Sequence, residues 1–236
     1  NRGLEFDLSY KALDLSKVKL NLRANAGLYR NEITQMALDP ATGKPKHYEE
    51  HGSFAYKKGH SVQDYYMPIY AGITSTGRPQ WEYYYTEDAS GKKTAVKDLE
   101  NWLQVPSNDP SSLKQGTTTN YNNATKQFVG KSAIPDLVGG FGFDLTVHGV
   151  TLSSAFSFGL GGYGYDGVYA TLMDPSSAIG SSNWHKDILD SWSPTNTNGT
   201  LPILGSNASE LSQATSRSTR FLTSRSYLNL SNVRIS

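Results

Sequence analysis

Residues 136–168 read DLVGGFGFDLTVHGVTLSSAFSFGLGGYGYDGV. Apolar side chains recur at every second position over 141–147 and, except at Ser154, over 150–160, with glycine, serine, threonine, aspartate and alanine between them. Successive side chains of a strand point to opposite faces of a sheet, so this alternation indicates two strands. Because only His148 and Gly149 separate them, the stretch predicts a long hairpin with a tight turn.

The two faces of this hairpin differ in an unusual way. One is aromatic and aliphatic, whereas the other consists of small and polar residues and carries almost no charge. The polar face of a soluble sheet is usually charged. Each strand also has roughly the 9–11 residues that a tilted transmembrane β-strand needs. The hairpin therefore predicts a piece of an outer-membrane barrel wall.

The composition of the 236 residues narrows the function classes without choosing among all-β folds. A net charge of +1 gives no basis for a nucleic-acid partner. The chain has 37% hydrophobic residues, 15 Tyr and 22 Gly, and its mean hydropathy is −0.50. These values suit a barrel with polar loops, and they suit a soluble β-sandwich as well. That alternative, a glycan-binding or adhesion module, stays open at this point.

Cysteine is absent, which excludes disulfides, cysteine-ligated zinc and thiol catalysis within these residues. The sequence contains no apolar run of about 18 residues, so it predicts no transmembrane helix. It also shows no signal peptide and opens directly on the strand-like NRGLEFDLSY. We therefore expect the chain to be an internal fragment or a processed product.

Similar alternation elsewhere predicts an all-β, antiparallel chain that forms part of one barrel domain. The strands are expected at about 2–12, 17–34, 136–148, 150–163 and 221–236, with a β-bulge near Ser231 and Asn232 where the apolar phase shifts. Long external loops are expected at 37–134 and 166–219, and residues 115–127 are expected to be flexible surface loop. Within the first loop, residues 81–96 predict a small exposed hairpin.

The lengths of the connections predict the topology. Short turns at 13–16 and 148–149 alternate with the two long loops, as in bacterial barrels, where the periplasmic turns are short and the external loops are long. Five strands do not close a barrel, and unpaired strand edges are not tolerated in lipid. The strands are therefore expected to pair with the remainder of the same barrel.

Six segments in this order carry a family resemblance: NRGLEFDLSY, IYAGITSTGRPQWEYY, IPDLVGGFGFDLTVHGVTLSSAFSFGLGG, NWHKDILDSWSPTN, TLPIL and STRFLTSRSYLNLSNVRIS. Together they resemble the C-terminal barrel region of SusC/RagA-like TonB-dependent transporters. The resemblance implies part of a Gram-negative outer-membrane barrel of about 22 strands with a plugged lumen. It also implies energy from TonB, a SusD-like surface lipoprotein as lid, and import of oligosaccharides or peptides. The plug domain and the TonB box are absent from this chain.

Trp81, Tyr83, Tyr84 and Tyr85 are the candidate substrate-binding residues, because exposed aromatic rings stack on sugars and hold peptide side chains. The alternative is that they pack the loop hairpin against its neighbours. Two further tryptophans, Trp184 and Trp192, are expected on a short helix that Ser182 and Asn183 cap, with a packing role.

No pattern in the sequence predicts an enzyme, a cofactor or a metal site. HYEEH, residues 47–51, resembles a zinc helix, but Tyr48 stands where the metalloprotease pattern requires glutamate. The sequence has no G-x-S-x-G motif, and its strands place no carboxylate pair of the glycosidase kind. The leading interpretation is a transporter segment whose ligand is captured between loops and lid.

Overall fold

The computed structural model describes residues 1–174, 183–204 and 212–236. The fold is all-β and antiparallel, with few and short helices. Its elements follow in chain order: β1 (Arg2–Asp14), β2 (Val18–Arg30), β3 (Glu49–His51), β4 (Phe54–Tyr56), β5 (Asp64–Pro68), β6 (Tyr70–Ile73), β7 (Pro79–Glu87), β8 (Lys93–Val96), α1 (Leu99–Leu103), β9 (Lys114–Thr118), β10 (Lys126–Ser132), β11 (Leu137–Val147), β12 (Val150–Leu160), β13 (Tyr163–Tyr165), α2 (Gly167–Leu172), β14 (Leu222–Ser224) and β15 (Tyr227–Ile235). Single 3-10 turns lie at Pro110–Ser112, Tyr121–Asn123, Lys186–Asp190, Ser212–Thr215 and Thr219–Phe221.

Five strands form one sheet in the order β1-β2-β11-β12-β15, which we call the long sheet. They correspond to the five strands expected from the sequence, with different ends. β12 stops at Leu160 because Gly161 and Gly162 turn the chain with φ of +74° and +70°. β15 starts only at Tyr227, since residues before it form a 3-10 turn and the separate strand β14.

The register brings the apolar residues of all five strands onto one continuous face. Leu145, for example, lies between Leu20 of β2 and Leu152 of β12. Much of this face is exposed: Phe6 is 56% exposed, Leu228 65% and Ile235 73%. The other sheets of the described residues do not cover these side chains. Within the described residues, this face therefore lacks the second layer that a soluble β-sandwich requires.

The opposite face is polar and closely built. Arg23 Nη1 lies 2.6 Å from Asp144 Oδ2 across β2 and β11, and the hydroxyls of Thr146 and Thr151 lie 2.9 Å apart across the hairpin. Gly142 is needed here, because a Cβ at that position would lie 2.4 Å from the carbonyl oxygen of Ser154. The glycine therefore allows β11 and β12 to pair closely.

Turn and bulge details follow the sequence expectations. His148 and Gly149 have φ of +50° and +90°, as in the type I′ turn that suits a two-residue hairpin. The predicted bulge is confirmed: Ala155 pairs with Asn232 and Phe156 with Leu230, which leaves Ser231 as the extra residue. Because of it, Leu228 and Ile235 share a face despite their odd spacing.

We give the name connecting region to the described residues within 31–136 and 161–226, which join the long strands at one end. The expectation of long external loops understates their structure. They contain a sheet β10-β5-β4-β3, a second sheet in which β6, β8 and β9 pair with β7, and the pair β13-β14. The predicted hairpin at 81–96 is present as β7 and β8. Residues 115–127 are not a flexible loop, because β9 pairs with β7 along five positions from Trp81 to Tyr85.

The connecting region has its own hydrophobic clusters. One consists of Ala170, Met173, Ile188 and Phe221, and the other of Tyr65, Met67 and Leu222. Phe221 and Leu222 are adjacent, so they link the second long connection to the first. No helix in the described ranges is long and apolar enough to cross a membrane.

Candidate functional site

The aromatic run predicted to bind substrate lies on β7, the central strand of its sheet. Trp81 and Tyr83 to Tyr85 belong to the part of β7 that pairs with β9. Alternation places Trp81, Tyr83 and Tyr85 on one face and Tyr84 on the other. The run is a strand because aromatic residues favour a pleated surface and β9 satisfies its backbone.

Trp81 is fully buried, at 0% exposure. Its ring meets Tyr70 edge-on, with centroids 6.3 Å apart, and meets Tyr121 edge-on at 5.3 Å. The indole Nε1 has no hydrogen-bond partner within the described ranges. In this structure Trp81 therefore packs between Tyr70 of β6 and Tyr121 of the 3-10 turn that follows β9.

Tyr83 and Tyr85 form a half-exposed aromatic pair. Their rings stack with centroids 5.0 Å apart and an interplanar angle of 21°. Both cover Gly116 of β9, where a Cβ would lie 3.3 Å from the Tyr83 ring and 3.5 Å from the Tyr85 ring. Lys93 Nζ lies 4.7 Å from the Tyr85 centroid. A stacked pair with a cation beside it offers a flat surface for a sugar or a peptide side chain.

Tyr84 lies on the other face and is half-buried. Its backbone N–H donates to Thr125 Oγ1 at 2.7 Å, and the Thr125 hydroxyl in turn donates to the Val96 carbonyl oxygen. Thr125 is fully buried, so this hydroxyl bridges β7 to the end of β8. The position ties the β7 backbone to its surroundings.

A buried polar cluster that the sequence did not predict joins α1 to the sheet of β4 and β5. Glu100 Oε2 accepts from Lys57 Nζ at 2.7 Å and lies 2.9 Å from His47 Nε2. The Glu100 side chain is only 8% exposed. Its charge is therefore held in a poorly solvated place by two basic groups.

Asp98 is the second carboxylate of this cluster. It caps α1 by accepting from the Asn101 N–H, and it also accepts from the hydroxyls of Tyr48 at 3.0 Å and Tyr66 at 2.7 Å. Burial, with the hydrogen bond to Asp98, raises the pKa of the Tyr48 phenol well above its ordinary value. Burial raises the pKa of Tyr66 even more. Both phenols stay protonated as donors.

The HYEEH segment takes part in this cluster and in the sheet edge. Besides His47 and Tyr48, Glu50 binds Lys126 Nζ, and the His51 ring stacks on Tyr56 with centroids 4.2 Å apart. The described residues hold no group of three or more side chains placed to bind a metal ion. Residues Glu49–His51 of the segment form β3, which pairs with β4, rather than the helix that a zinc motif needs.

The two later tryptophans have packing positions. Trp184 packs against the cluster of Ala170 and Phe221. A Cβ on Gly77 would lie 2.8 Å from the Trp192 ring, which shows how closely that ring covers the β6–β7 turn. The expected helix is a 3-10 turn, Lys186–Asp190, capped by His185, whose Nδ1 accepts from the Asp187 N–H. The capping prediction for Asn183 is therefore wrong, and Ser182 lies outside the described residues.

A cleft opens beside the buried cluster, between β5, β10 and the segment before β14. It has a volume of about 360 Å³, and Tyr66, Met67, Pro68, Tyr121 and Arg217 are among its lining residues. Its lining combines apolar and aromatic residues with three charged ones, Glu50, Lys126 and Arg217. No local sequence pattern predicts this cleft, because its residues come from positions between 50 and 217.

These features define a class: an antiparallel sheet with an exposed apolar face and a folded connecting region at one end. No family model and no curated protein matches the chain. Among solved structures it is similar to the RagAB peptide transporter, with a TM-score of 0.68 and 20% identity over 99% of this chain. It is also similar to the RagAB peptide importer in the closed-closed state, with a TM-score of 0.71 and 21% identity over 99% of this chain.

The chain covers 22% of each of those two longer chains. At this identity the likeness establishes the fold, and it agrees with the resemblance seen in the sequence. The function of those longer proteins is applied to this chain only as a proposal.

Proposed function

We propose that this chain is a wall segment, with its external loops, of an outer-membrane importer. The observation that carries the proposal is the continuous apolar face across all five strands of the long sheet, with a polar face behind it. An exposed apolar patch of this extent marks an interaction or membrane surface in a stable protein. Lipid is the partner that fits a face built from strands.

The dimensions of the long sheet support this assignment. β1 and β2 have 13 residues each, and β11 and β12 have 11 each. About 9–11 tilted residues cross the hydrocarbon core of a bilayer, so each of these strands is long enough to span it. The polar face, with Arg23 and Asp144, then faces a wet lumen.

Both edges of the long sheet support a larger assembly. β1 and β15 are end strands, and on their outer sides no strand of the described ranges pairs with them. Open edges are costly in lipid, where backbone groups lack water. We infer that both strands pair with the remainder of the same barrel.

The ends of the strands orient the segment. At one end the connections are short, such as the turn at His148 and Gly149, and at the other they form the folded connecting region. In bacterial barrels the short turns are periplasmic and the long ones external. The connecting region then meets ligand outside, and it is the contact surface for a SusD-like lipoprotein.

Energy coupling and substrate follow from the family resemblance. TonB would act on a part of the importer outside these 236 residues, and the cargo would be an oligosaccharide or a peptide. Tyr83, Tyr84 and Tyr85 remain candidate contacts for it, with the stacked Tyr83–Tyr85 pair as the best placed. The buried Trp81 would have a packing role, through its contacts with Tyr70 and Tyr121. The role needs no catalytic group and no cofactor.

A fractionation experiment tests the proposal. The full-length protein should be recovered with outer membranes, and its unheated form should migrate differently from the boiled form on a gel, as folded barrels do. Cells expressing it should take up labelled oligosaccharides or peptides in a TonB-dependent way. Recovery of the full-length protein in the soluble fraction would contradict the proposal.

A further inference from the structure

The cleft beside β5 has a floor that suits a small apolar group. Pro68 and the ring of Tyr121 form the apolar part of its lining, whereas Met67, which is 1% exposed, packs its side chain into the cluster with Tyr65 and Leu222. The volume of about 360 Å³ lies at the lower end of the range for ligand pockets. A group of the size of one amino-acid residue therefore fits.

The rim of the cleft has an excess of positive charge. Lys126 Nζ lies 2.7 and 2.9 Å from the two carboxylate oxygens of Glu50, so that lysine is already neutralised. Arg217 is exposed and, within the part of the chain that the structure describes, no carboxylate forms an ion pair with it. Among the described residues, no carboxylate therefore competes for its N–H donors, which can bind an anion.

Tyr121 fixes the backbone at the position of Arg217. Its hydroxyl donates to the Arg217 carbonyl oxygen at 2.7 Å, and its ring is held by the edge-on contact with the buried Trp81. The arginine thus projects from an anchored backbone, which lowers the entropy lost when its side chain binds a ligand.

We propose that this cleft binds a carboxylate that stands next to a compact apolar group, as at the C-terminus of a short peptide. Arg217 pairs with the carboxylate, and Pro68 and the Tyr121 ring contact the apolar group. Planar, bidentate pairing with a carboxylate is the interaction for which arginine is best suited. The inference rests on the proposed function and adds to it a site and a ligand chemistry.

A second cleft, of about 280 Å³, shows why the first is chosen. Its lining contains two basic residues, His60 and Lys131, and two acidic residues, Asp64 and Asp136. His60 Nδ1 lies 3.2 Å from Asp64 Oδ2. The balance of charge there gives an anion no advantage.

The test compares two probes on the detergent-purified full-length protein. One is a tetrapeptide ending in leucine with a free carboxylate, and the other is the same peptide with a C-terminal amide. Calorimetry should show about tenfold weaker binding of the amide, the loss expected for one charge-assisted hydrogen-bonded pair. Equal affinity of the two peptides would overturn the proposal.

Substitution links the preference to the cleft. Arg217→Gln should abolish the preference for the free carboxylate, and Arg217→Lys should retain part of it. Lys131→Gln, which changes a cation outside the cleft, should leave the preference unchanged. If neither peptide binds although the protein is an outer-membrane importer, the cleft assignment fails and the proposed function stands.

Discussion

Phe141 on β11 and Phe156 on β12 occupy directly paired positions, and their rings stack with centroids 4.8 Å apart at an interplanar angle of 12°. The pair lies in the middle of the apolar face of the long sheet. Gly140 and Ser157 form the neighbouring pair in the ladder, on the polar face. Adjacent residue pairs of this hairpin thus face the two environments that the proposed barrel wall separates, lipid and the aqueous lumen.

A charge on the apolar face should therefore be costly. Phe141→Lys is expected to destabilise the folded protein in lipid by about 2–4 kcal/mol, the cost of a lysine near the bilayer midplane. Ser157→Lys, in the matched control, should cost less than about 1 kcal/mol because its ammonium reaches the lumen. Urea titration of the protein in lipid vesicles measures both. Equal losses would argue against lipid on the Phe141 face.

The ion pair on the polar face should be weak. Arg23 and Asp144 approach to 2.6 Å, but their side chains are 52% and 26% exposed. Solvent screening limits such pairs to about 0.2–1 kcal/mol. A double-mutant cycle of Arg23→Gln and Asp144→Asn should give a coupling in that range, and the coupling should fall as salt increases. A salt-independent coupling above it would show that the face is shielded from water.

The buried Glu100 should matter more than an exposed glutamate with a similar partner. Glu100→Gln leaves Lys57 and His47 near a neutral amide, so hydrogen exchange of α1 should become faster, with a local loss of about 1–3 kcal/mol. Glu87→Gln removes the exposed contact with Lys114 and is the control; its loss should be clearly smaller, because solvent screens that pair. Similar effects of both variants would contradict the view that the cluster fixes α1.

Alkaline pH should loosen the same region. The folded pKa values of Tyr48 and Tyr66 are raised above the ordinary tyrosine value of about 10, so the unfolded state loses those protons first. Their contribution to stability is complete below about pH 10 and falls as pH rises above it. Ultraviolet absorbance should show late-ionising phenols, and one fewer of them should be present in Tyr66→Phe.

Asp98→Asn is the matched variant for this titration. Asparagine can still cap α1, but it removes the negative charge beside both phenols. Ionisation of Tyr48 and Tyr66 should then shift to lower pH. An unchanged titration would mean that Asp98 does not act on them.

The aromatic run should separate into a structural and a ligand-contacting part. Trp81→Ala removes a fully buried ring and should cost about 3–5 kcal/mol of local stability, measured by proteolysis of the connecting region. Tyr85→Ala removes one half-exposed ring of the stacked pair and should weaken ligand binding by about 1–3 kcal/mol while leaving proteolysis unchanged. Binding unaffected by Tyr85→Ala would exclude the pair as a ligand surface.

Alternation made the long sheet predictable, because each of its strands repeats apolar and polar residues over many positions. The connecting region lacks that signal. Residues Lys114–Thr118 read KQGTT and form β9 only because the aromatic strand β7 lies beside them. Short strands of this kind depend on distant partners, which local propensity does not encode.

The site was less predictable than the sheet. The aromatic run from Trp81 to Tyr85 is visible in the sequence. The burial of Trp81, which distinguishes it from the half-exposed tyrosines, is not, because it depends on Tyr70 and Tyr121. The cluster around Glu100 joins residues from 47 to 100 in the chain. No spacing rule predicts such a meeting, since folding of the intervening sheets brings the residues together.

Lipid contact at Phe156 tests the central claim most directly. The 236 residues contain no cysteine, so Phe156→Cys and Ser157→Cys can be labelled singly in a full-length protein cleared of any other cysteine. In outer membranes, a dye on residue 156 should be quenched by spin-labelled lipid, whereas Ser157→Cys should react with a water-soluble maleimide. A dye at 156 that lipid does not quench, with both positions equally open to the maleimide, would contradict the membrane-wall account.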